Sequence, residues 1–400
     1  MSDRVDFDLS QVPVFVDPVR RRPGVRKQNP FRIIALALDR ALGDFAAVLC
    51  FAMSVKAQFD HAKLLVYYRN DRPYKKPILD VCADIDEVIE MTGADSLPLD
   101  ILDAAAHAPF PPPETWRHHE TAWNRSHLVI LPHMARYQNL GRFDPAARFR
   151  FTPRDAEIAA DRLRENGVDP DRWFCVMHYR EPSYQNRRPQ PMRDVDTADY
   201  EALANWIIDH LGGQVVRVGH AEMRPFAARP GYVDLAPLGD ADFKLHLFAI
   251  SRARFMLASN SGPGVCGSCF GTPTAMCNNP ATFGLWNSQD AVMMSHIIAP
   301  DGRRVSHGVA HKREMHFVAA VQHLNDMGYR TVLQSLDELK RLAAVMHERT
   351  TDTPGWRTHW YETEATERPN RFEASADPIT RATLVEFEDL APGDGTIVLA

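Results

Sequence analysis

Apolar runs and segments of helical periodicity alternate along the first third of the chain. A continuous apolar run is typical of a buried parallel strand, whereas apolar residues three and four positions apart indicate a helix. These patterns predict a strand at 31–38, a turn at 42–44, a helix at 45–59, a strand at 63–68, a helix at 86–91 and a strand at 127–132. The order strand, helix, strand is that of a βαβ unit, in which the two strands are parallel.

A second and more regular series begins after residue 150. Thr152 and Pro153 form a helix start, with Thr as the capping residue and Pro in the first turn, and an Asn-Gly pair at 166–167 ends that helix. The elements predicted beyond it are strands at 173–178, 214–218, 232–235, 254–258 and 272–276, helices at 197–211 and 241–251, a short helix after a turn at 260–262, a helix from a capping box at 335–338 to about 347, and a strand at 396–399.

The two series predict an α/β protein with two Rossmann-like domains facing a cleft. We place the join between them near residue 150, where one series ends and the other begins. The predicted organisation is an irregular N-terminal arm at 1–28, a first domain at 29–150, a second domain at 151–349 and a C-terminal extension at 350–400.

Composition narrows the class of protein. Hydrophobic residues make up 45% of the chain and charged residues 24%, which is ordinary for a globular protein. The 46 basic and 52 acidic residues leave a net charge of −6, so we expect no nucleic-acid partner. The longest apolar stretch, 45–53, is too short to cross a bilayer, so we expect no transmembrane segment. With no apolar leader and no disulfide framework among its six cysteines, the chain is expected in the cytoplasm.

The turn at 260–262 carries the strongest signal for a binding site. Asn260, Ser261 and Gly262 lie between a strand and a helix, so their backbone N–H groups are predicted at a helix N-terminus. Such a terminus binds phosphate, because unpaired donors and the helix dipole both favour an anion. The alternative is a helix cap with no ligand. The carboxyl end of a strand in an open α/β sheet is where ligands usually bind.

Charged residues follow two neighbouring strands at the same predicted edge. Arg180 comes just after the strand at 173–178, and a guanidinium there grips a diphosphate with two hydrogen bonds. His178 either orients that ligand or is a packed strand residue. Arg217 either points the same way or bridges to an acid. We expect Glu181 to hold Arg180 in place.

Asp44 is the candidate general base. It follows Gly43 in the turn between the first strand and the first helix, where a carboxylate could take a proton from a hydroxyl. The alternative is an ordinary helix cap.

Several other groups are given a structural interpretation. Cys266 and Cys269 form a single CxxC without a second ligand pair, which favours helix packing over zinc. The basic residues at 69, 72, 75 and 76 are interpreted as a solvated turn that could meet an anionic acceptor. No metal-ligand set is recognised among the histidines at 118, 119, 307, 311 and 316.

Taken together, these segments resemble glycosyltransferases of the GT-B type. The segments 42–44, 258–263 and 270–273 are similar to those of the heptosyltransferase family. The chain more closely resembles a less characterised family of bacterial glycosyltransferases. The segments that carry this likeness are 151–153, 176–182, 215–219 and 259–262. The His-x-Arg step at 178–180 also resembles that of fucosyltransferases. The resemblance covers about residues 30 to 348.

The resemblance implies a reaction and the residues that carry it. A sugar would pass from a nucleotide diphosphate donor to a hydroxyl on a glycan, lipid-linked or protein acceptor, in bacterial surface glycan or glycoconjugate synthesis. Asp44 would be the base, Arg180 would bind the diphosphate, and Ser261 and Gly262 would form the diphosphate turn. Neither a metal nor a cofactor would be needed, and peripheral membrane contact is compatible with this role. Inversion and retention at the anomeric carbon both stay open.

The chain departs from the heptosyltransferase pattern at two positions. The helix after Gly-Pro lacks the usual His, and Asn260 stands where an Asp is usual. These departures leave the identity of the donor sugar open. Two alternative functions also stay open: a sugar-nucleotide epimerase of GT-B fold, which would need acid and base groups on both faces of the sugar, and a non-catalytic nucleotide-sugar-binding protein.

Overall fold

The structure is a computed structural model whose described residues are 32–57, 59, 62–91, 128–130, 147–181, 193–279, 285–287, 289–305, 324–351 and 383–385. The chain divides into two compact units, Met1–Arg148 and Phe149–Ala400. The predicted arm at 1–28, the histidines at 118, 119, 307, 311 and 316 and the predicted strand at 396–399 lie outside the described residues.

The first unit contains a four-stranded parallel sheet. Its elements are β1 Arg32–Ala37, α1 Leu42–Lys56, β2 Lys63–Tyr68, α2 Lys75–Asp80, β3 Glu87–Glu90 and β4 Leu128–Ile130. The strand order is β3-β2-β1-β4, so β2 and β3 extend the sheet on one side of β1 and β4 extends it on the other. The apolar side chains of β1 and most of α1 are buried, as their continuous apolar sequences predict.

The prediction of a helix at 86–91 is wrong, because this segment forms the edge strand β3. It pairs in parallel with β2, with Glu87 opposite Leu65. The Asp86 carboxylate accepts hydrogen bonds from the Leu64 backbone N at 2.7 Å and from Lys56 Nζ at 2.6 Å. These bonds fasten the start of β3 to β2 and α1, and such tertiary contacts override a short local pattern.

The second unit is larger and is built on a seven-stranded parallel sheet. Its elements are α3 Pro153–Glu165, β5 Phe174–His178, α4 Thr197–Trp206 with a π-helical turn Ile207–Leu211, β6 Gln214–Arg217, β7 Tyr232–Asp234, a 3₁₀ segment Ala236–Asp242, α5 Phe243–Arg252, β8 Phe255–Ser259, α6 Gly262–Phe270, β9 Thr274–Asn279, β10 Ala291–Met294, β11 His296–Ile298, β12 Arg304–Val305, β13 Arg330–Val332, α7 Leu336–Arg349 and β14 Thr383–Leu384.

Two predicted helix starts are confirmed in detail. Thr152 caps α3 by accepting from the Asp155 N–H at 3.2 Å, with Pro153 in the first turn. Ser335 and Glu338 form a reciprocal capping box at the start of α7. Both caps could be predicted from the sequence, because a cap involves residues only three positions apart.

The strand order of the large sheet locates a natural binding edge. The order is β14-β10-β9-β8-β5-β6-β7, and every pairing is parallel. Counted from β5, six of these strands follow the Rossmann order 3-2-1-4-5-6, and β14 extends the sheet beyond β10. The α/β class and the Rossmann-like character of the units are thus confirmed. The topological switch point lies between β5 and β8, where ligands of such sheets bind at the carboxyl ends of the strands.

Helix α6 lies unusually close to the strands on either side of it in the chain. A Cβ atom on Gly264 would lie 2.9 Å from Ala258 Cβ, and one on Gly267 would lie 2.2 Å from Thr274 Oγ1. Cys266 and Cys269 on the same helix are both fully buried. The small residues of α6 therefore allow the helix to pack closely on the sheet. Gly264 is one of them, because it has no Cβ atom to collide with β8 and β9.

The remaining strands β11, β12 and β13 form a small antiparallel sheet that the sequence patterns did not predict. His296 Nε2 lies 2.7 Å from Glu338 Oε1, and both side chains are buried. This contact ties the small sheet to the first turn of α7.

Candidate functional site

The carboxyl edge at the switch point brings together residues from two non-consecutive strands. β5 ends at His178 and β8 ends at Ser259, and the two strands are neighbours, with His178 paired to Ala258. Just beyond, the Ser261 hydroxyl lies 2.8 Å from His178 Nδ1. The two segments singled out from the sequence, His178–Arg180 and Asn260–Gly262, therefore meet at one place.

The hydroxyl of Ser261 does not cap the helix that it precedes. Ser261 is the N-cap residue of α6, yet its side chain makes no cap hydrogen bond and donates instead to the Ser259 carbonyl at 2.9 Å. A hydroxyl has one proton, so forming both bonds requires His178 to donate from Nδ1, which leaves its Nε2 as an acceptor. Pro263 has no N–H, and the N–H groups of Gly262 and Gly264 lie in a first turn without a side-chain cap.

His178 is an uncharged hydrogen-bonding group at neutral pH. Burial lowers the pKa of its imidazole to about 3, and the positive charges near it, including those of Arg180 and Arg217, act in the same direction. The sequence left two roles open for His178, and its burial fits the role of a packed strand residue. Its bond to Ser261 nonetheless holds the turn at 260–262 against β5.

Arg180 is anchored at the same edge through its backbone and its side chain. Its N–H donates to Ser259 Oγ at 2.9 Å, which ties the β5 loop to β8. Its Nε donates to Asp194 Oδ1 at 3.0 Å. Among the described residues, no partner engages its two terminal Nη groups. A guanidinium fixed at Nε presents its remaining N–H fork in a defined plane, which suits a bidentate oxyanion.

The expected pairing of Arg180 with Glu181 is wrong. Glu181 is buried and accepts from the Thr197 hydroxyl at 2.9 Å and from the Arg224 backbone N–H at 2.8 Å. Successive side chains of an extended segment face opposite directions, which leaves Asp194 as the partner of Arg180.

Arg217 is fully buried and serves as a bridge to an acid, one of the two roles considered for it. Its guanidinium forms two hydrogen bonds to Asp234, at 3.0 and 2.5 Å, and a further one to the Tyr179 hydroxyl at 2.6 Å. Burial by itself would lower the pKa of Arg217, but the Asp234 carboxylate outweighs burial and raises it. The side chain does not reach the surface of the site.

Asn260 is also held within the protein. Its side-chain amide donates to Asn279 Oδ1, and its backbone carbonyl accepts from Arg193 Nη2 at 3.0 Å. The side chain of Asn260 therefore fixes the turn to β9 by its bond to Asn279. Asp194, Arg193 and Asn279 were not found from the sequence, because each acts through a contact between distant segments.

In the first unit, Asp44 lies in the first turn of α1 instead of capping it. The helix begins at Leu42 with Ala41 as its N-cap, so Asp44 occupies the third helical position, and its side chain is half-buried. A carboxylate in a first turn interacts favourably with the helix dipole. Asp44 is therefore not the N-cap residue, and it follows the last residue of β1 by seven positions.

The turn before α1 is fastened to the start of α2. Arg40 Nε donates to Asp71 at 2.9 Å, the Tyr74 hydroxyl donates to the Arg40 carbonyl, and Lys75 Nζ lies 2.8 Å from Asp71. Burial would raise the pKa of Asp71, but the bonds from Lys75 and Arg40 outweigh it and lower that pKa. Lys75 is fully buried, 5.0 Å from the ring of Phe45, so the interpretation of Lys75 as part of a solvated turn is wrong.

Among the described residues, no group of three or more His, Cys, Asp or Glu side chains is placed to hold a metal ion. No helix in these residues has the length and apolar character needed to cross a membrane.

Comparison with solved structures finds glycosyltransferases. The chain is similar to a glycosyl transferase family 9 protein from Veillonella parvula, at 12% identity and a TM-score of 0.49, over 81% of this chain and 99% of that one. It is similar to the ADP-heptose LPS heptosyltransferase II of E. coli, at 12% identity and a TM-score of 0.46, over 80% and 99%. For the E. coli heptosyltransferase WaaC with ADP the values are 12% and 0.37, over 71% and 98%. No protein-family model matches the chain, and no curated protein matches its sequence.

Proposed function

We propose that this protein is a glycosyltransferase of GT-B type that moves a sugar from a nucleotide diphosphate donor to a hydroxyl acceptor. The observation that carries the proposal is the meeting of three anion-binding features at one switch point. These are the uncapped N-terminus of α6, the Ser261 turn fixed by His178, and the guanidinium of Arg180. An orphaned helix terminus with an oriented arginine beside it is suited to a diphosphate.

The donor's diphosphate binds at this edge in the second unit. Departure of a nucleoside diphosphate leaves negative charge on its terminal phosphate, and stabilising that charge is the main electrostatic task of the reaction. Arg180 and the N–H groups of Gly262 and Gly264 take part in it, and the proposal includes no metal ion. His178 acts by holding Ser261, because an uncharged imidazole adds no positive charge.

The acceptor hydroxyl is activated in the first unit by Asp44. The Asp44 carboxylate, in the first turn of α1 just after the turn at Arg40 that Asp71 holds, serves as the general base. The acceptor is a glycan, a lipid-linked glycan or a protein, in bacterial surface glycan synthesis and at the cytoplasmic side, with peripheral membrane contact. An inverting reaction needs only this one base.

The test of donor binding is the variant Arg180→Ala. A hydrogen bond to a charged group contributes about 1.5–3 kcal/mol, so affinity for the preferred nucleoside diphosphate should fall by that amount. The panel of probes is ADP, GDP, UDP and CDP, measured by calorimetric titration. The matched control is Arg164→Ala, which removes an exposed arginine near the end of α3, the end from which the chain enters β5. Unchanged affinity in a folded Arg180→Ala protein would refute the site.

Product analysis separates the reaction from the two alternatives. A transferase releases the nucleoside diphosphate only when an acceptor is present, whereas an epimerase converts the nucleotide sugar alone into its epimer. A non-catalytic binder does neither. Incubation of each nucleotide sugar with and without acceptor mixtures therefore distinguishes all three.

A further inference from the structure

The turn after β6 holds an arginine whose backbone is fixed from both sides by buried charged groups. The Arg224 N–H donates to Glu181 Oε1 at 2.8 Å, and the Arg224 carbonyl accepts from Arg217 Nη1 at 2.6 Å. Glu181 and Arg217 are both buried. Hydrogen bonds to buried charged groups are strong, so the backbone position of Arg224 is well determined.

Aromatic packing anchors the same turn. Phe226 stacks on Tyr179, with ring centroids 5.7 Å apart, and on Tyr232, with centroids 5.3 Å apart. The Arg217 guanidinium lies 4.7 Å from the Phe226 ring. Because Tyr179 directly follows β5, the turn is held against the carboxyl ends of β5 and β6.

In contrast to its backbone, the Arg224 side chain is exposed and has no carboxylate partner among the described residues. Arg180 is paired with Asp194, and Arg217 with Asp234. The positive charges of those two arginines are therefore already balanced within the protein. Among the residues that the structure describes, no carboxylate balances the charge of Arg224. A fixed backbone also lowers the entropy lost when its side chain meets a ligand.

The histidines at this edge supply no positive charge for binding a diphosphate. Burial lowers the pKa of both His178 and His220, so both imidazoles are uncharged at neutral pH. The N-terminus of α6 contributes the equivalent of about half a positive charge. A nucleoside diphosphate carries more than one negative charge, which leaves a need for an unbalanced cation.

The strand order places Arg224 at the same edge of the sheet as Arg180 and the N-terminus of α6. β8, β5 and β6 are successive strands, and neighbouring strands lie about 4.8 Å apart. The α6 N-terminus, the Arg180 segment and the Arg224 turn thus follow three adjacent strand ends. We propose that Arg224 is a second donor-binding arginine, which grips the diphosphate from the side opposite to the N-terminus of α6.

This inference rests on the proposed function and is tested separately from it. The probes are inorganic pyrophosphate and the four nucleoside diphosphates, titrated into the full chain and into Arg224→Ala, Arg224→Lys and the control Arg164→Ala. We expect Arg224→Ala to raise the Kd about tenfold and Arg224→Lys to raise it less, because lysine keeps the charge but loses the fork. The melting temperature should not change, since alanine retains the N–H and carbonyl that Glu181 and Arg217 engage.

The possible outcomes separate the two proposals. Binding by the unaltered protein, with the same Kd in Arg224→Ala, would overturn the role of Arg224 and leave the donor site standing. Equal losses in Arg224→Ala and Arg164→Ala would show only general charge attraction and would also overturn it. Absence of binding by the unaltered protein would overturn the proposed function, and the inference with it.

Discussion

At the scale of single residues, Asp44→Asn tests the general base. Asparagine keeps the shape of the side chain but cannot accept a proton at neutral pH. General-base catalysis is worth about 10²–10⁴-fold, so turnover with the true acceptor should fall in that range while donor affinity is unchanged. Loss of the charge from the first turn of α1 should cost no more than about 1 kcal/mol.

The competing interpretation of Asp44 gives a different pattern. If the carboxylate acts only on the helix dipole, Asp44→Asn lowers the unfolding free energy slightly and leaves turnover within a few-fold of the unaltered protein. Measuring both quantities on the same preparation decides between the two. Asp44→Glu, which keeps the charge, serves as the control for stability.

His178 predicts a dependence of stability on pH. The pKa of this imidazole is about 3 in the folded protein and near 6.5 when unfolded. Between those values the unfolded chain binds the extra proton, so stability falls as the pH drops from about 6.5 towards 3. We expect His178→Asn to weaken this decline, as measured by urea unfolding across that pH range. Parallel curves for the two proteins would contradict the assignment, because burial of His220 and His246 acts equally in both.

The residues of the site were predictable where chemistry follows from local sequence, and not where it depends on distant contacts. The place of Ser261 at a helix N-terminus was predictable, because its small polar turn lies between a strand and a helix in the sequence. The role of Arg217 could not be chosen from sequence, because its partner Asp234 lies on the next strand of the sheet. The partner of Arg180 was missed for the same reason, since Asp194 lies fourteen residues further along the chain.

At the scale of elements, Gly267→Ala tests the close packing of α6. The new Cβ would lie 2.2 Å from Thr274 Oγ1 and 3.2 Å from Met256 Sδ, so a strand or the helix must shift. Overpacking of this kind costs about 1–3 kcal/mol, against a gain of up to about 1 kcal/mol in helix propensity. We expect a net loss of unfolding free energy. The loss should shrink in the background of Thr274→Ala, and full additivity of the two changes would contradict the packing explanation.

The predicted elements follow the same division between local and distant information. Most strands and helices of the βαβ series were predicted, because they carry a continuous apolar run or a cap, as in α3 and α7. The exceptions are α2, β10 and β14, for which no element was predicted. β3 was mistaken for a helix because a short segment with two apolar residues fits either period, and its pairing with β2 decides the outcome. β11, β12 and β13 have two or three residues each, too few to show any period.

At the scale of the whole molecule, the two units should respond differently to a ligand. Each unit has its own parallel sheet and its own buried core, so each meets the usual conditions for unfolding as a separate body. Scanning calorimetry should therefore show two transitions. A nucleoside diphosphate that binds only the folded second unit should raise one of them and leave the other in place.

The size and the assignment of that shift are both open to measurement. At a ligand concentration of 100 times the Kd, binding adds about 2.7 kcal/mol to the unfolding free energy. Gly267→Ala lies in the second unit, so it should lower the transition that the nucleotide raises, whereas Asp44→Asn should affect only the other. A nucleotide that shifts the transition sensitive to Asp44→Asn would place the donor in the first unit. That result would contradict the donor site at the β5–β8 switch point even if the chain proved to be a glycosyltransferase.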